Sequence, residues 1–300
     1  MKEKKEIKNV PASVKERLKN ISFQNGKEFQ SVLSQYVQER FLYRLSKSNY
    51  SNNLILKGAL LFIAHDISRN RPTRDIDFLG SKIPNEIDDL VKVIKEILNI
   101  NYDDGLRFDS DSVEAEDITE DGDYKGVRIK FNAFLENSRV RIQLDIGFGD
   151  TIIAGPVEKE FPTLLDFPAP KLMVYSIETA IAEKFEAIVS LQLQTSRMKD
   201  FYDILFFAEY YDFKKEILFQ AIRTTFNNRS TDLNLSKLIF EDKFKNNENF
   251  QKLWTTFLER NKLENDKSFS IVVSLIQSFI GPIFDSKSNN NWNPKKWKWE

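Results

Sequence analysis

Apolar and polar positions alternate cleanly through RVRIQLDIGFGD, residues 139–150. Val140, Ile142, Leu144 and Ile146 share one face, while Arg141, Gln143 and Asp145 share the other. A period of two describes a strand with one buried side. The run LILKG, residues 54–58, is too short for a helix and reads as a buried strand that ends at Gly58. A compact helix over ALLFIAHD follows, and RPTRDIDFLG, residues 71–80, predicts the next strand. Residues 11–46 carry helical spacing, with Phe29, Val32, Leu33, Tyr36, Val37, Phe41 and Leu42 on the apolar stripe. PNEIDDLVKVIKEIL reads as an amphipathic helix, and GLRFDSDSVEAEDI and YKGVRIKFNAFLE read as strands. Four prolines between residues 155 and 170 suggest a linker or irregular crossing. From residue 176 to about 284 the period is helical, and the tail NNNWNPKKWKWE shows no clear period.

The expected fold is therefore α/β (α+β): a mixed sheet flanked by helices over residues 1–165, followed by an all-α domain over 166–300. Composition narrows the chemistry. There is no cysteine, so thiolate metal sites are excluded, and the single histidine, His65, gives poor support to a histidine-rich zinc site or a Ser-His-Asp triad. His65, with no partner at ligand spacing, reads as structural. The stretch MKEKKEIKNV lacks the apolar core of a signal peptide, and no window resembles a membrane span, so a cytoplasmic protein is expected. Residues 1–60 hold twelve Lys/Arg against five Asp/Glu, whereas residues 81–125 hold five against fourteen. The basic part suits either a solvated surface or an acidic partner such as RNA. The aromatic and basic tail suits packing of its tryptophans on the helical part, or stacking on RNA.

Asp75 and Asp77 stand one residue apart on a strand, so both point to one face while Ile76 and Phe78 take the other. Two carboxylates that close repel unless a cation lies between them. If the strand carrying Asp145 runs beside them, the three form a carboxylate cage for Mg²⁺ or Mn²⁺, the hard cations that oxygen ligands select. The bland alternative is an edge strand turning its aspartates to solvent. Strand–Gly58–helix is a turn whose backbone can approach a phosphate, or merely a tight turn. On a helical wheel begun at Ile177, Lys184 falls inside the apolar stripe. A buried ammonium needs an anion, unless it snorkels to the domain edge. Asp200 and Asp203, three apart on the next helix, are neighbours on its surface and offer Lys184 a partner.

The order of these parts is similar to the polymerase-β-type nucleotidyltransferase superfamily. More narrowly, LKGALLF with RPTRDIDFLG, QLDIGFGD, EKFEAIVSL and RMKDFYDI resembles the AbiEii-type toxins of abortive-infection and toxin–antitoxin systems. The likeness spans about residues 54–207. It implies that Asp75 and Asp77, joined by Asp145, ligate Mg²⁺ carrying a nucleoside triphosphate. Lys57, Gly58, Thr73 and Arg74 would line the nucleotide site, Lys184 would contact phosphates, and Asp200 would be the further acidic residue of the catalytic set. The superfamily usually shows Gly-Gly or Gly-Ser at the turn; Lys57-Gly58-Ala59 has one glycine and no hydroxyl, which Thr73 would supply. The implied activity is metal-dependent transfer of a nucleotide from an NTP to RNA, at the 3′ end of tRNA, by a toxin with a cognate antitoxin and no membrane partner. The alternatives are nucleotidyl or phosphoryl transfer to a protein hydroxyl, and a non-catalytic nucleotide- or RNA-binding module.

Overall fold

The alternating pattern of residues 139–147 is realised as a central strand of a seven-stranded sheet in the computed structural model of the chain. The structure describes residues 9–65, 73, 75–120, 124–263, 265–285 and 290–300. Two units are distinguished, Met1–Gly149 with Val157–Val174, and Asp150–Pro156 with Tyr175–Glu300. The first contains helices α1 (Val10–Gln24), α2 (Phe29–Lys47), α3 (Leu60–Ala64) and α4 (Ile87–Leu98). Its strands are β1 (Leu54–Lys57), β2 (Asp75–Gly80), β3 (Leu106–Glu120), β4 (Tyr124–Leu135), β5 (Ser138–Gly147), β6 (Val157–Glu160) and β7 (Lys171–Val174).

The strand order is β3-β4-β5-β2-β1-β7-β6, with β2 parallel to β5, β1 parallel to β7, and the other pairs antiparallel. The expected α/β architecture with a mixed sheet is what the chain adopts. One face is apolar: Ile76, Phe78, Ile129, Phe131, Ile142 and Leu144 are all buried. Helix α2 covers it, with Phe41 packed on Phe78 and Phe131 at ring separations of 6.5 and 5.4 Å. Burying these faces supplies the main stabilisation of the layer. The opposite face carries Asp75, Asp77, Gln143 and Asp145, each half-buried.

Helical spacing over residues 11–46 is interrupted: α1 and α2 are separate, and Gly26 sits between them at φ +60°. The Asn9 side chain accepts from the Ala12 amide and opens α1. The proline-rich stretch contains β6, and Phe161 closes onto the Pro170 carbonyl, so it extends the sheet.

Helix α2 also buries charge. Arg40 and Arg44 both bond Asp104, at 3.0 and 2.7 Å, and the Tyr36 hydroxyl donates to the Asp104 carbonyl. Arg40 donates to the Pro168 carbonyl, and Glu39 accepts from the Leu164 amide at 2.7 Å. These bonds tie α2 to the segment before β3 and to the segment between β6 and β7. Burial raises the Glu39 carboxyl from 4.5 to about 7, against the lowering effect of the Leu164 amide and Arg40. The folded state thus binds that proton more tightly than the unfolded chain. Its stabilising effect is complete below about pH 4.5 and is lost as pH rises through about 7. At about 1.4 kcal/mol per pKa unit, the loss is on the order of 3 kcal/mol. Glu39→Gln cannot ionise and is expected to flatten this part of the stability profile. Urea unfolding near the two ends of that window checks it: the variant should gain on wild type at the alkaline end.

The second unit contains α5 (Ile177–Leu191), α6 (Met198–Tyr210), β8 (Phe213–Lys214), α7 (Lys215–Asn228), α8 (Asp242–Lys245), α9 (Glu248–Asn261), α10 (Phe269–Ile280), β9 (Asn291–Asn293) and β10 (Lys298–Trp299). Ser176, Asn247 and Ser268 cap α5, α9 and α10 through their side chains. The tail, which lacks a sequence period, supplies β9 and β10, which join β8 in a three-stranded sheet of order β10-β9-β8. Trp292 and Trp299 are buried there, and their indole N–H groups donate to the carbonyls of Ala208 and Phe279. These two rings therefore serve packing. Among the described residues no helix is long and apolar enough to cross a membrane.

Candidate active site on the polar face of the sheet

Register assembles the first-unit candidates into one transverse row. Lys57 of β1 stands across from Asp77 of β2, Asp77 from Asp145 of β5, and Asp145 from Arg128 of β4. Neighbouring strands lie about 4.8 Å apart, and registered residues share a face, so the row reads plus, minus, minus, plus. One step along the strands, Asp75 stands across from Gln143. Both aspartates of the β2 motif are thus on the polar face, beside the third.

Gly58 follows β1 directly and adopts φ +68°, a conformation glycine reaches without strain. A Cβ built there would lie 1.8 Å from Asp77 Oδ2. The missing side chain is therefore the space the Asp77 carboxylate occupies, and any other residue would displace it. Thr73, at the entrance to β2, donates its hydroxyl to the Asp75 carbonyl at 3.1 Å, and its own carbonyl accepts from Gln38 of α2. The threonine thus positions the start of the strand that carries the aspartates. Arg74 lies outside the described residues.

Asp145 is held by Arg128 through two bonds of 2.9 and 2.8 Å, and Gln143 donates to it at 3.1 Å. The bond to Asp145 raises the Arg128 pKa against partial burial, and the charges of Asp75 and Glu116 add to it. Arg128 belongs to no sequence motif because its pairing depends on strand register; the only local signal is an arginine in the polar phase of YKGVRIKF.

Among the described residues no group of three or more acidic or histidine side chains is gathered tightly enough to hold a metal ion. The three-carboxylate cage is not assembled while Asp145 faces Arg128. The Asp75/Asp77 pair still suits Mg²⁺, which is commonly held by one or two carboxylates with the remaining positions taken by water and substrate phosphates. Their all-oxygen donor set, on a strand whose neighbouring turn leaves space for the Asp77 side chain, fits that ion.

Lys184 and Asp200 belong to the second unit. The Lys184 ammonium on α5 lies 3.2 Å from Asp200 Oδ1 and 2.8 Å from Asp203 Oδ2, both on α6. Burial pulls its pKa down, but Asp203 and Asp200 outweigh that and hold it above the usual lysine range. Arg197 adds a contact to Asp200 at 3.6 Å. The lysine inside the apolar stripe has thus found its anions on the neighbouring helix. One residue earlier, Glu183 belongs to a second network: Arg229 contacts Glu183, Glu186 and Asp150 at 3.5, 2.9 and 3.6 Å. His65 lies at the end of α3, as its C-cap.

A sheet whose polar face carries paired strand carboxylates beside a strand–glycine–helix turn is the arrangement of a nucleotidyltransferase core. The family model for the AbiEii nucleotidyl transferase toxin, of type IV toxin–antitoxin systems, matches residues 40–279. The chain belongs to this family, which makes it a toxin-system nucleotidyltransferase and implies a nucleotide substrate and an antitoxin partner. No curated protein sequence matches the chain. Among solved structures it is similar to JHP933 from Helicobacter pylori, at 15% identity and TM-score 0.49, covering 85% of this chain and 92% of that one. It is also similar to a candidate nucleotidyltransferase from H. pylori, at 14% identity and TM-score 0.49, covering 91% and 100%.

Proposed function

We propose that the chain binds a divalent metal ion and a nucleoside triphosphate at Asp75 and Asp77, and transfers the nucleotidyl group to an RNA hydroxyl, that of a tRNA 3′ end. The observation that carries this reading is the row Lys57–Asp77–Asp145–Arg128, with Gly58 leaving space for the Asp77 carboxylate. In the reaction the acceptor oxygen bonds to the α-phosphorus and the α–β bridging P–O bond breaks. Pyrophosphate leaves, and the hydroxyl proton passes to solvent or a carboxylate. Mg²⁺ or Mn²⁺ would supply neutralisation of the triphosphate and polarisation of the α-phosphate. The chain's own part is positional: β2 holds the carboxylates, the Gly58 turn allows backbone to approach phosphate, and Lys57 and Arg128 flank the row with positive charge. A cytoplasmic site of action agrees with an RNA acceptor.

The test is to incubate purified protein with total RNA and each of the four triphosphates, labelled in turn at the α- and γ-phosphate. The α-label is expected to enter RNA in the size range of tRNA, from one or two of the four nucleotides. Label moving from the γ-phosphate, or into protein instead of RNA, would contradict the reading.

A further inference from the structure

Arg128 has no role in the site as read from sequence motifs, yet it occupies one of the three carboxylates that a metal would use. We infer that Arg128 is an exchangeable counter-ion: it holds Asp145 before substrate arrives, and passes to the triphosphate when a metal ion enters. The inference rests on the nucleotidyltransferase reading and assigns one further residue to that site.

The geometry carries it in three ways. First, both Asp145 oxygens are engaged by the Arg128 guanidinium, at 2.9 and 2.8 Å, and both also accept from Gln143 at 3.1 and 3.3 Å, so a metal ion approaching Asp145 competes with this pairing. Second, Arg128 is on the face and in the row of Asp77 and Asp145, and its side chain is one-third exposed. It also feels the charge of Asp75. A released guanidinium therefore stays beside the carboxylates that would carry the metal and nucleotide. Third, the charges balance in two different ways. Asp75, Asp77, Asp145 and Glu116 against Lys57, Arg128 and Lys130 leave one net negative charge among the described residues. A divalent ion turns that into one net positive charge, suited to a polyanion. A guanidinium fork matches phosphate oxygens as well as it matches a carboxylate, whereas an ammonium is only a point charge. The same side chain can thus serve both states with no change of fold.

A structural salt bridge and an exchangeable one differ in the sign of their effects. If Arg128 competes with metal and then binds phosphate, removing it strengthens metal binding and weakens nucleotide binding. The experiment is calorimetry on Arg128→Gln and Arg128→Lys. Mn²⁺ alone is titrated first, then the α,β-methylene analogue of each of the four triphosphates in the presence of Mg²⁺. Arg128→Gln is expected to bind Mn²⁺ several-fold more tightly and the triphosphate analogue about tenfold more weakly, the scale of one lost charged hydrogen bond. Arg128→Lys keeps the charge but not the fork, and is expected to show both changes at reduced size. Both affinities falling together would mark Arg128 as structural and overturn the inference. So would a lysine variant that matches wild type in both titrations. Asp77→Asn separates this from the underlying reading. Wild type and Asp77→Asn binding Mn²⁺ and analogue alike would overturn the nucleotidyltransferase site itself.

Discussion

An Asp77→Asn variant is expected to lose nucleotide transfer by roughly 10²–10³-fold, the scale seen when one electrostatic group of a preorganised site is removed. It should nevertheless fold as stably as wild type, or more so. Asparagine keeps the shape of aspartate, so it still fits the space that Gly58 leaves. What it removes is one of two negative charges that face each other from adjacent strands, Asp77 and Asp145. Like charges across a strand pair oppose pairing, so their relief offsets whatever Asp77 gains from the flanking cations. Transfer of α-labelled nucleotide and urea unfolding, measured on the same preparation, check both halves. Activity near wild type would remove Asp77 from the reaction. Joint loss of activity and fold would make it a structural residue.

The second large effect belongs to Lys184. Its ammonium sits between Asp200 and Asp203, whose side chains are only 4% and 3% exposed. Lys184→Ala leaves two buried carboxylates facing one another without the ammonium that both contact, while Arg197 still reaches Asp200 at 3.6 Å. Breaking a buried pair in this way is expected to cost about 3–5 kcal/mol. The triple change Lys184→Met with Asp200→Asn and Asp203→Asn removes the uncompensated charge, and should recover most of that loss. Denaturant unfolding of the three proteins decides it. An alanine variant as stable as wild type would mean that the carboxylates do not depend on Lys184 and that its charge serves only chemistry.

Much of the first unit was legible because its signals are local. The alternation of residues 139–147 describes one strand with one wet face, and β5 is that strand. Asp75 and Asp77 announced their shared face through the period of two, and Gly58 through its place at the end of a short apolar run. Lys184 stood out because a helical wheel put a charge among apolar neighbours. Other features depend on partners far away in sequence. β6 reads VEKE, with no apolar face to betray it, and the prolines around it suggest a linker; its strand character comes from pairing with β7. The break between α1 and α2 rests on a single glycine in an otherwise continuous helical period. The tail became strands because Trp292 and Trp299 found a helical surface to bury against. Arg128 reached Asp145 only through the register of β4 on β5, and no spacing rule reads register from one chain.

In the proposed reaction Asp75 and Asp77 together hold the ion that carries the nucleotide. The most direct test is a crystal of the protein with Mn²⁺ and a non-hydrolysable triphosphate, with the anomalous signal of manganese locating the ion. A peak is expected about 2.1–2.2 Å from oxygens of both aspartates, with triphosphate oxygens completing the shell. Manganese bound elsewhere, or Asp77 remaining packed on Gly58 with no ion beside it, would show that the two aspartates do not hold the ion.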